Sequence, residues 1–495
     1  LPVGGGGITF RANVGKNERM NQVLNILYVV AGVVLLFGAA VFVHEFGHFW
    51  MARRRGMKVE AFAVGFGPKA FSWVRDGIEY SFRWIPAGGF VKLPQMITSE
   101  ALEGKGDSGE KIPPASPLSK ILVAVAGPFM NVVFAFVIAT VIYFVGLPVP
   151  VNPSIIGHVD PNSPEGKMGI QTDDRIVEVN GKPVKSWQEV LMASALARTN
   201  IMPVVIEREG VRKSYQLTAK ADEAIGLKVL NLDPKDHPEV IEVMSGAPGE
   251  KAGLKAKDVV VSFAGIPVAG RDQLIELIRK RPNELTTMIV QRGDEKKTLT
   301  ITPILNPATR KGQIGVALMS SSANVYQVQR PGPTPWAQVS DVWEKTIGTL
   351  SALFHSKETG VGVKDLSGPP GILAMLASQL NADYRLALSF LVMLNINLAV
   401  INLFPMPVLD GGHILMAIIE RIRGRPLGVR TLEYTTTAFA VLLISFMLYV
   451  SFNDVTKRFG VFKSLLKSET KIEESEPKPS GAAGGTTVPA QVPAK

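Results

Sequence analysis

Four stretches of this 495-residue chain, Asn21 to His44, Ile121 to Pro150, Leu386 to Leu409 and Tyr434 to Asn453, contain no Asp, Glu, Lys or Arg. A hydrocarbon core of ~30 Å takes about 20 helical residues to cross. Each stretch therefore predicts a transmembrane helix, and together they predict a multi-pass α-helical membrane protein. Between the first two, Ile78, Tyr80, Phe82 and Trp84 alternate with Glu79, Ser81 and Arg83, a period of two that predicts a strand. Asp76-Gly77 just before it favours a two-residue turn, so residues 59–94 predict a β-hairpin with one greasy and one polar face. Further along, Trp336, Val339, Trp343, Ile347, Leu350 and Phe354 recur three or four apart. That spacing predicts an amphipathic helix, lying on the outer membrane interface or packed on the spans.

The region between the second and third spans repeats itself at an offset of 84 residues: Gly169, Asp174, Gly181, Pro183 and Val184 recur as Gly253, Asp258, Gly265, Pro267 and Val268. Tandem copies of one α/β domain are expected. They resemble PDZ domains, which capture an extended peptide or a C-terminus by strand addition. The second copy has FAGIP where the first has VNGKP, a difference that leaves the peptide-binding role of each copy open.

The resulting domain plan places a tag or extension at 1–19, the first span with its flank at 20–58, and the hairpin with a cytoplasmic loop at 59–117. The second span occupies 118–150, the repeats 151–222 and 223–305, and a linker with the amphipathic helix 306–385. The third span is expected at 386–412 and the fourth at 432–454. Polar, Gly- and Pro-rich residues 98–117 suggest a mobile loop, and the Pro- and Ala-rich tail at 464–495 suggests disorder.

Charge supplies orientation. The net charge of +10 is spread along the chain without a basic-aromatic module, which argues against nucleic acid. Arg53, Arg54, Arg55 and Lys58 follow the first span, and Arg421, Arg423, Arg425 and Arg430 separate the third from the fourth. By the positive-inside rule both loops are cytoplasmic, which puts the repeats and both termini outside. There are no cysteines, so thiolate metal sites are excluded and an oxidising exterior is tolerated.

Candidate chemistry lies at the end of the first span, in VFVHEFGHFW. His44 and His48, four apart, share one face of a helix, and both imidazoles can hold one Zn²⁺ while Glu45 serves as general base. Ionisable side chains at the edge of a span are costly and mark function. A catalytic zinc needs a third protein ligand, and the residues after His48 lack the Gly and third His of HExxHxxGxxH. Glu60, Glu79, Glu100 and His413 remain formal candidates. Asp410 in NLFPMPVLDGGH is favoured, because the first and third spans run in the same direction and bring it to the depth of the histidines. Pro405, Pro407, Gly411 and Gly412 would break the helix there, which is tolerated only where backbone is buried or lines a watery cavity.

With HEFGH, AGPFMN at 126–131, the tandem repeats and NLFPMPVLDGG at 402–412, the chain resembles the site-2 protease family over nearly all of residues 20–460. The resemblance implies His44, His48 and Asp410 as zinc ligands and Glu45 as catalytic base. It further implies that Asn402, Pro405 and Pro407 contact or position substrate and that the 59–94 hairpin is a membrane-re-entrant sheet. The expected activity is cleavage of transmembrane segments of single-pass membrane proteins in a bacterial inner membrane, with the active site toward the cytoplasm. A catalytically silent PDZ scaffold is the alternative; a zinc transporter would want ionisable ligands on more spans than carry them.

Overall fold

The computed structural model describes residues 7–96, 113, 115–221, 227–293, 295–307, 310–320, 325–425, 429–457 and 471–474. The chain opens with helix α1 (Gly7–Arg54). It then enters a hairpin, β1 (Ala61–Arg75) and β2 (Ile78–Lys92), whose turn has positive φ at both Asp76 and Gly77, as a type I′ turn demands. The hairpin is folded over on itself: residues 61–64 pair with 79–82 on one side and with 89–92 on the other. Aromatic packing seats this sheet against α1, through Phe42 and Phe49 on Phe62 and Phe49 on Tyr80. Its outer side chains Phe71, Trp73, Phe82 and Trp84 are exposed, which suits a sheet bathed in lipid. The expected loop at 98–117 lies mostly outside the described residues.

Helix α2 (Pro117–Val145) starts on a Ser116 cap with Pro at its first turn and carries Pro128 inside it. It is followed by a short strand, β3 (Leu147–Pro150). The first repeat contains β4 (Arg175–Val179), α3 (Trp187–Ala195), β5 (Ile201–Arg208) and β6 (Val211–Ala221). The second contains β7 (Pro238–Val243), β8 (Val259–Phe263), α4 (Arg271–Arg279), β9 (Thr286–Arg292), β10 (Glu295–Ile301) and β11 (Val316–Ser320). Equivalent elements sit at equivalent places: β4 pairs with β5 as β8 pairs with β9, and β5 with β6 as β9 with β10.

One constellation is duplicated atom for atom. Arg208 grips Asp174 through Nε (2.5 Å) and Nη2 (2.7 Å) and donates to the Gly169 carbonyl (2.8 Å). Arg292 does the same to Asp258 (2.6 and 2.7 Å) and to the Gly253 carbonyl (2.8 Å). Burial opposes ionisation of Asp174, but the Arg208 hydrogen bonds overcome it and hold the carboxyl below its ordinary value. Each repeat has its own core, with Ile156, Ile176, Met202 and Leu217 in the first and Phe263, Leu274 and Met288 in the second all fully buried. Such a side chain contributes about 1.5–3 kcal/mol on leaving water.

Strand β12 (Val325–Gln329) returns the chain beside β3 and leads into α5 (Pro335–Phe354), the expected amphipathic helix. It packs on the spans: Gln338 donates to the Ala139 carbonyl (3.0 Å) and Trp336 stacks on Phe136. A further helix inside the expected linker, α6 (Pro369–Ala382), places Leu376 and Leu380 against Val33, Leu36 and Phe37 of α1. Then come α7 (Tyr384–Asn402), α8 (Asp410–Arg423) and α9 (Val429–Lys457).

Among the described residues, four helical segments are long and apolar enough to cross a membrane: Val23–Arg54, Pro117–Val145, Tyr384–Asn402 and Leu432–Thr456. The third ends earlier than expected. Pro405 and Pro407 donate no backbone N–H and disfavour helix in the residue before them, so α7 stops at Asn402 and Asp410 opens a separate helix. Within the tail expected to be disordered, residues 471–474 form β13, which pairs in parallel with β12; the rest of 464–495 lies outside the described residues.

Spans cannot be held together by a hydrophobic effect that lipid removes, so they rely on close packing of small residues and on hydrogen bonds. The α1/α2 crossing follows that rule. A Cβ on Gly47 would fall 2.4 Å from the Ala126 carbonyl oxygen, and one on Gly127 would fall 2.2 Å from Nε2 of His48. The part-buried Lys120–Glu420 ion pair (2.8 Å) ties α8 to the first turn of α2.

Candidate metal centre

Helix α1 places His44 and His48 one turn apart, with their rings edge to face. Each ring is oriented through its other nitrogen. Nδ1 of His48 lies 2.8 Å from the Val123 carbonyl, which accepts its proton and leaves Nε2 as a lone-pair donor. Nδ1 of His44 lies 3.1 Å from the Asn131 amide. Asn131 is fully buried, and its Oδ1 has no hydrogen-bond partner. Turning that amide so that Oδ1 faces the ring lets it accept the Nδ1 proton and frees Nε2 of His44 as well.

The two Nε2 atoms lie 3.2 Å apart. Asp410, at the first turn of α8, reaches them with both oxygens, Oδ2 to His44 at 3.4 Å and Oδ1 to His48 at 3.4 Å. Three ligands around zinc at bond lengths of about 2.0–2.1 Å in tetrahedral geometry lie roughly 3.3–3.4 Å from one another. The Nε2–Nε2 separation of 3.2 Å is close to this, and each Nε2 has one of the two Asp410 oxygens at 3.4 Å. Oδ2 of Asp410 is buried without a hydrogen-bond donor, a costly state that a cation relieves. Donor set, spacing and the orphaned oxygen all fit Zn²⁺, and His44, His48 and Asp410 are the metal-capable group found among the described residues.

The other formal candidates do not join them. Glu60 pairs with Lys92 and Glu79 with Lys69, Glu100 lies outside the described residues, and His413, one turn into α8, is not part of the group. Glu45 lies beside the hairpin, where a Cβ on Gly89 would come within 2.9 Å of its Cγ. The outer segment of β2, residues 89–92, thus runs next to Glu45. Asn402 closes another side, its Nδ2 3.4 Å from Nε2 of His44. Pro405 and Pro407 lie in the break between α7 and α8, where Gly411 and Gly412 pack against the carbonyls of Leu403, Phe404 and Met406.

Sequence reasoning assigned no role to Asn131, Gly127, Gly89 or the Val123 carbonyl. A signal for Asn131 existed: a carboxamide in the middle of an otherwise apolar span is expensive unless it is used.

A part-buried two-histidine, one-carboxylate centre with a neighbouring glutamate, set among membrane-crossing helices, defines a membrane-embedded metallopeptidase. The sequence profile of Peptidase family M50 matches residues 32–446, and the chain belongs to that family. It is similar to Protease RseP of Yersinia pestis, 29% identical over 456 residues covering 88% of this chain and 100% of the relative. The Regulator of sigma-E protease RseP of Escherichia coli K12 is likewise 29% identical, over 460 residues covering 88% and 100%. A Vibrio cholerae serotype O1 relative classed by name among zinc metalloproteases is 30% identical over 462 residues, covering 88% and 99%. Among solved structures, the PDZ domain of an SdrC-like protein from Listeria monocytogenes covers 17% of this chain and 88% of its own at 19% identity. Its TM-score of 0.16 is too low to define a shared fold. The protein is therefore a multi-pass membrane zinc metalloendopeptidase of the site-2 protease type.

Proposed function

We propose that His44, His48 and Asp410 hold the zinc, that Glu45 is the general base, and that the substrate is a transmembrane segment of a single-pass membrane protein. The observation that carries this reading is the triangle of Nε2, Nε2 and carboxylate, 3.2 to 3.4 Å on each side, within the bundle of spans.

Zinc, when bound, supplies Lewis-acid polarisation of the scissile carbonyl and lowers the pKa of water. Val123 and Asn131 keep both imidazoles turned so that their Nε2 atoms converge. Glu45 takes a proton from the attacking water and later delivers it to the leaving amide nitrogen. A substrate helix has its carbonyls hydrogen-bonded within the segment, so it has to unwind before attack. Residues 89–92 of β2, next to Glu45, offer backbone groups for strand addition. Asn402 hydrogen-bonds the opened segment, and Pro405 and Pro407 keep the α7–α8 break from closing into helix over it.

By the positive-inside rule the repeats and both termini lie on the exterior face of a bacterial inner membrane, with the active site toward the cytoplasm. Pairing of β13, after the fourth span, with β12, before the third, supports a common side for these segments. The relatives named as regulator of sigma-E protease support regulated intramembrane proteolysis in a sigma-factor pathway; an anti-sigma factor is the substrate this reading assigns, with remnant signal peptides as a second class. The repeats, as PDZ-like domains, either hold a newly exposed C-terminus or exclude substrates with bulky exterior domains. Deleting residues 150–305 separates these roles: loss of cleavage favours capture, and cleavage of uncut substrates favours exclusion. The function itself is tested by incubating purified protein with a reporter membrane helix. Cleavage is expected to stop with a zinc chelator and in Glu45→Gln, and continued cleavage by Glu45→Gln would refute the mechanism.

A further inference from the structure

Between the first repeat and α5 lies a cavity of about 360 Å³. The repeat contributes Asn180, Lys182, Arg198 and Thr199, and the helix contributes Gly348 and Ser351. Arg198 donates from Nη2 to the Ser351 hydroxyl (2.8 Å), bridging the two walls. A Cβ on Gly348 would lie 3.8 Å from Leu196 and 3.9 Å from Nζ of Lys182, so the missing side chain leaves the lysine head over open helix backbone. Neither Lys182 nor Arg198 belongs to an ion pair among the described residues. Two cations, a hydroxyl pair and a carboxamide therefore converge on one space whose lining among the described residues carries no carboxylate.

The position of α5 says what meets this space. Exposed Trp336, Trp343, Ile347 and Phe354 form one stripe of the helix, and tryptophan favours the membrane–water interface. The helix is anchored to two spans, through Gln338 to Ala139 of α2 and through Thr346 to Asn397 of α7 (2.6 Å). At 3.6 residues per turn, Ser351 falls on the flank of the apolar stripe, about 60° from its centre, and Gly348 about 120° from it on the same side.

We propose that this cavity binds a phosphate group, supplied by the headgroup of an anionic phospholipid in the adjacent leaflet, and that the bound lipid seats the first repeat on the membrane. Lys182 and Arg198 make charge-assisted hydrogen bonds to phosphate oxygens, Ser351 donates its hydroxyl, and Leu196 meets the glycerol carbons, while the Thr199 hydroxyl stays committed to the Ile201 carbonyl (2.7 Å). None of these residues belongs to the metal centre, so the proposal stands apart from the catalytic reading.

The test uses the full chain reconstituted with phosphatidylglycerol or phosphatidylcholine, extracted in mild detergent, with retained lipid counted by native mass spectrometry. Wild type is expected to keep phosphatidylglycerol and release phosphatidylcholine. The Lys182→Ala/Arg198→Ala double variant, and Gly348→Leu, which fills the cavity without changing charge, are each expected to retain at least fivefold less. Thermal melts of each variant identify those that remain folded. A second arm adds inorganic phosphate alone to lipid-depleted protein; phosphate binding without phosphatidylglycerol retention overturns the lipid assignment and gives the cavity to a soluble phosphate ester. Equal phosphatidylglycerol retention by wild type and both folded variants overturns the site.

Discussion

The side-chain amide of Asn131, buried in the middle of α2, lies 3.1 Å from Nδ1 of His44 on α1. The contact crosses between two spans and ends on the ring nitrogen opposite the one that faces Asp410. Asn131 therefore helps decide which nitrogen of His44 carries the proton. Groups that orient metal-binding histidines in this way typically change metal affinity by about 10–100-fold when removed. Asn131→Ala is expected to weaken zinc binding by about that factor, measured by competition with a chromophoric chelator. Unchanged affinity would assign Asn131 to span packing alone.

Gly127 gives a steric counterpart. Its hydrogen is all that fits against the histidine pair, since a Cβ would sit 2.2 Å from Nε2 of His48 and 2.9 Å from Cε1 of His44. Backbone and rings would both have to shift to admit a methyl group. Gly127→Ala should therefore lose zinc and cleavage together, although alanine is the better helix former by roughly 1 kcal/mol. Retained zinc and activity would mean that α1 and α2 are farther apart in the working enzyme.

Asp233 provides a pH test outside the membrane. It is buried beside α4 and accepts backbone hydrogen bonds from Asp272 (2.8 Å) and Gln273 (3.0 Å), while Cα of Asp233 pairs with His158 of the first repeat. Burial, reinforced by the charge of Asp272, pushes its carboxyl from 3.8 up to about 7. A carboxyl raised on folding contributes stability that is full below its unfolded value and is lost as pH rises through the folded one. Amide protection of residues 271–279, corrected for intrinsic exchange, is expected to fall between pH 5 and pH 8 by roughly tenfold or more, the size of a one-unit shift. Asp233→Asn keeps an oxygen to cap α4 and should flatten that dependence. A pH response that survives this substitution points to another group.

The parts of the site legible in the sequence were those fixed by local spacing or by charge. His44, Glu45 and His48 lie on one helix, so a five-residue pattern describes them. Asp410 came into view through the parity of apolar stretches and flanking arginines, which gives depth without contact. The α8 start at Asp410 was less legible, because Pro405 and Pro407 announce a break but not the point where helix resumes. Asn131 and Gly127 act through contacts between helices, and nothing in their neighbours along the chain records the partner. Strand β13 was missed because Lys471-Ile472-Glu473-Glu474 is mostly charged; it is ordered by backbone pairing with β12. The duplicated Asp174–Arg208 and Asp258–Arg292 pairs, by contrast, were half visible through the repeat of the aspartates.

The central claim, that three side chains hold the metal while a fourth moves the proton, is tested most directly by zinc content measured alongside cleavage in two variants. Glu45→Gln is expected to retain one zinc per chain with cleavage reduced by about 10²–10⁴-fold or more. Asp410→Asn, prepared identically, is expected to lose both. Zinc held equally by Asp410→Asn, or a Glu45→Gln protein that cuts at the wild-type rate, would contradict the account.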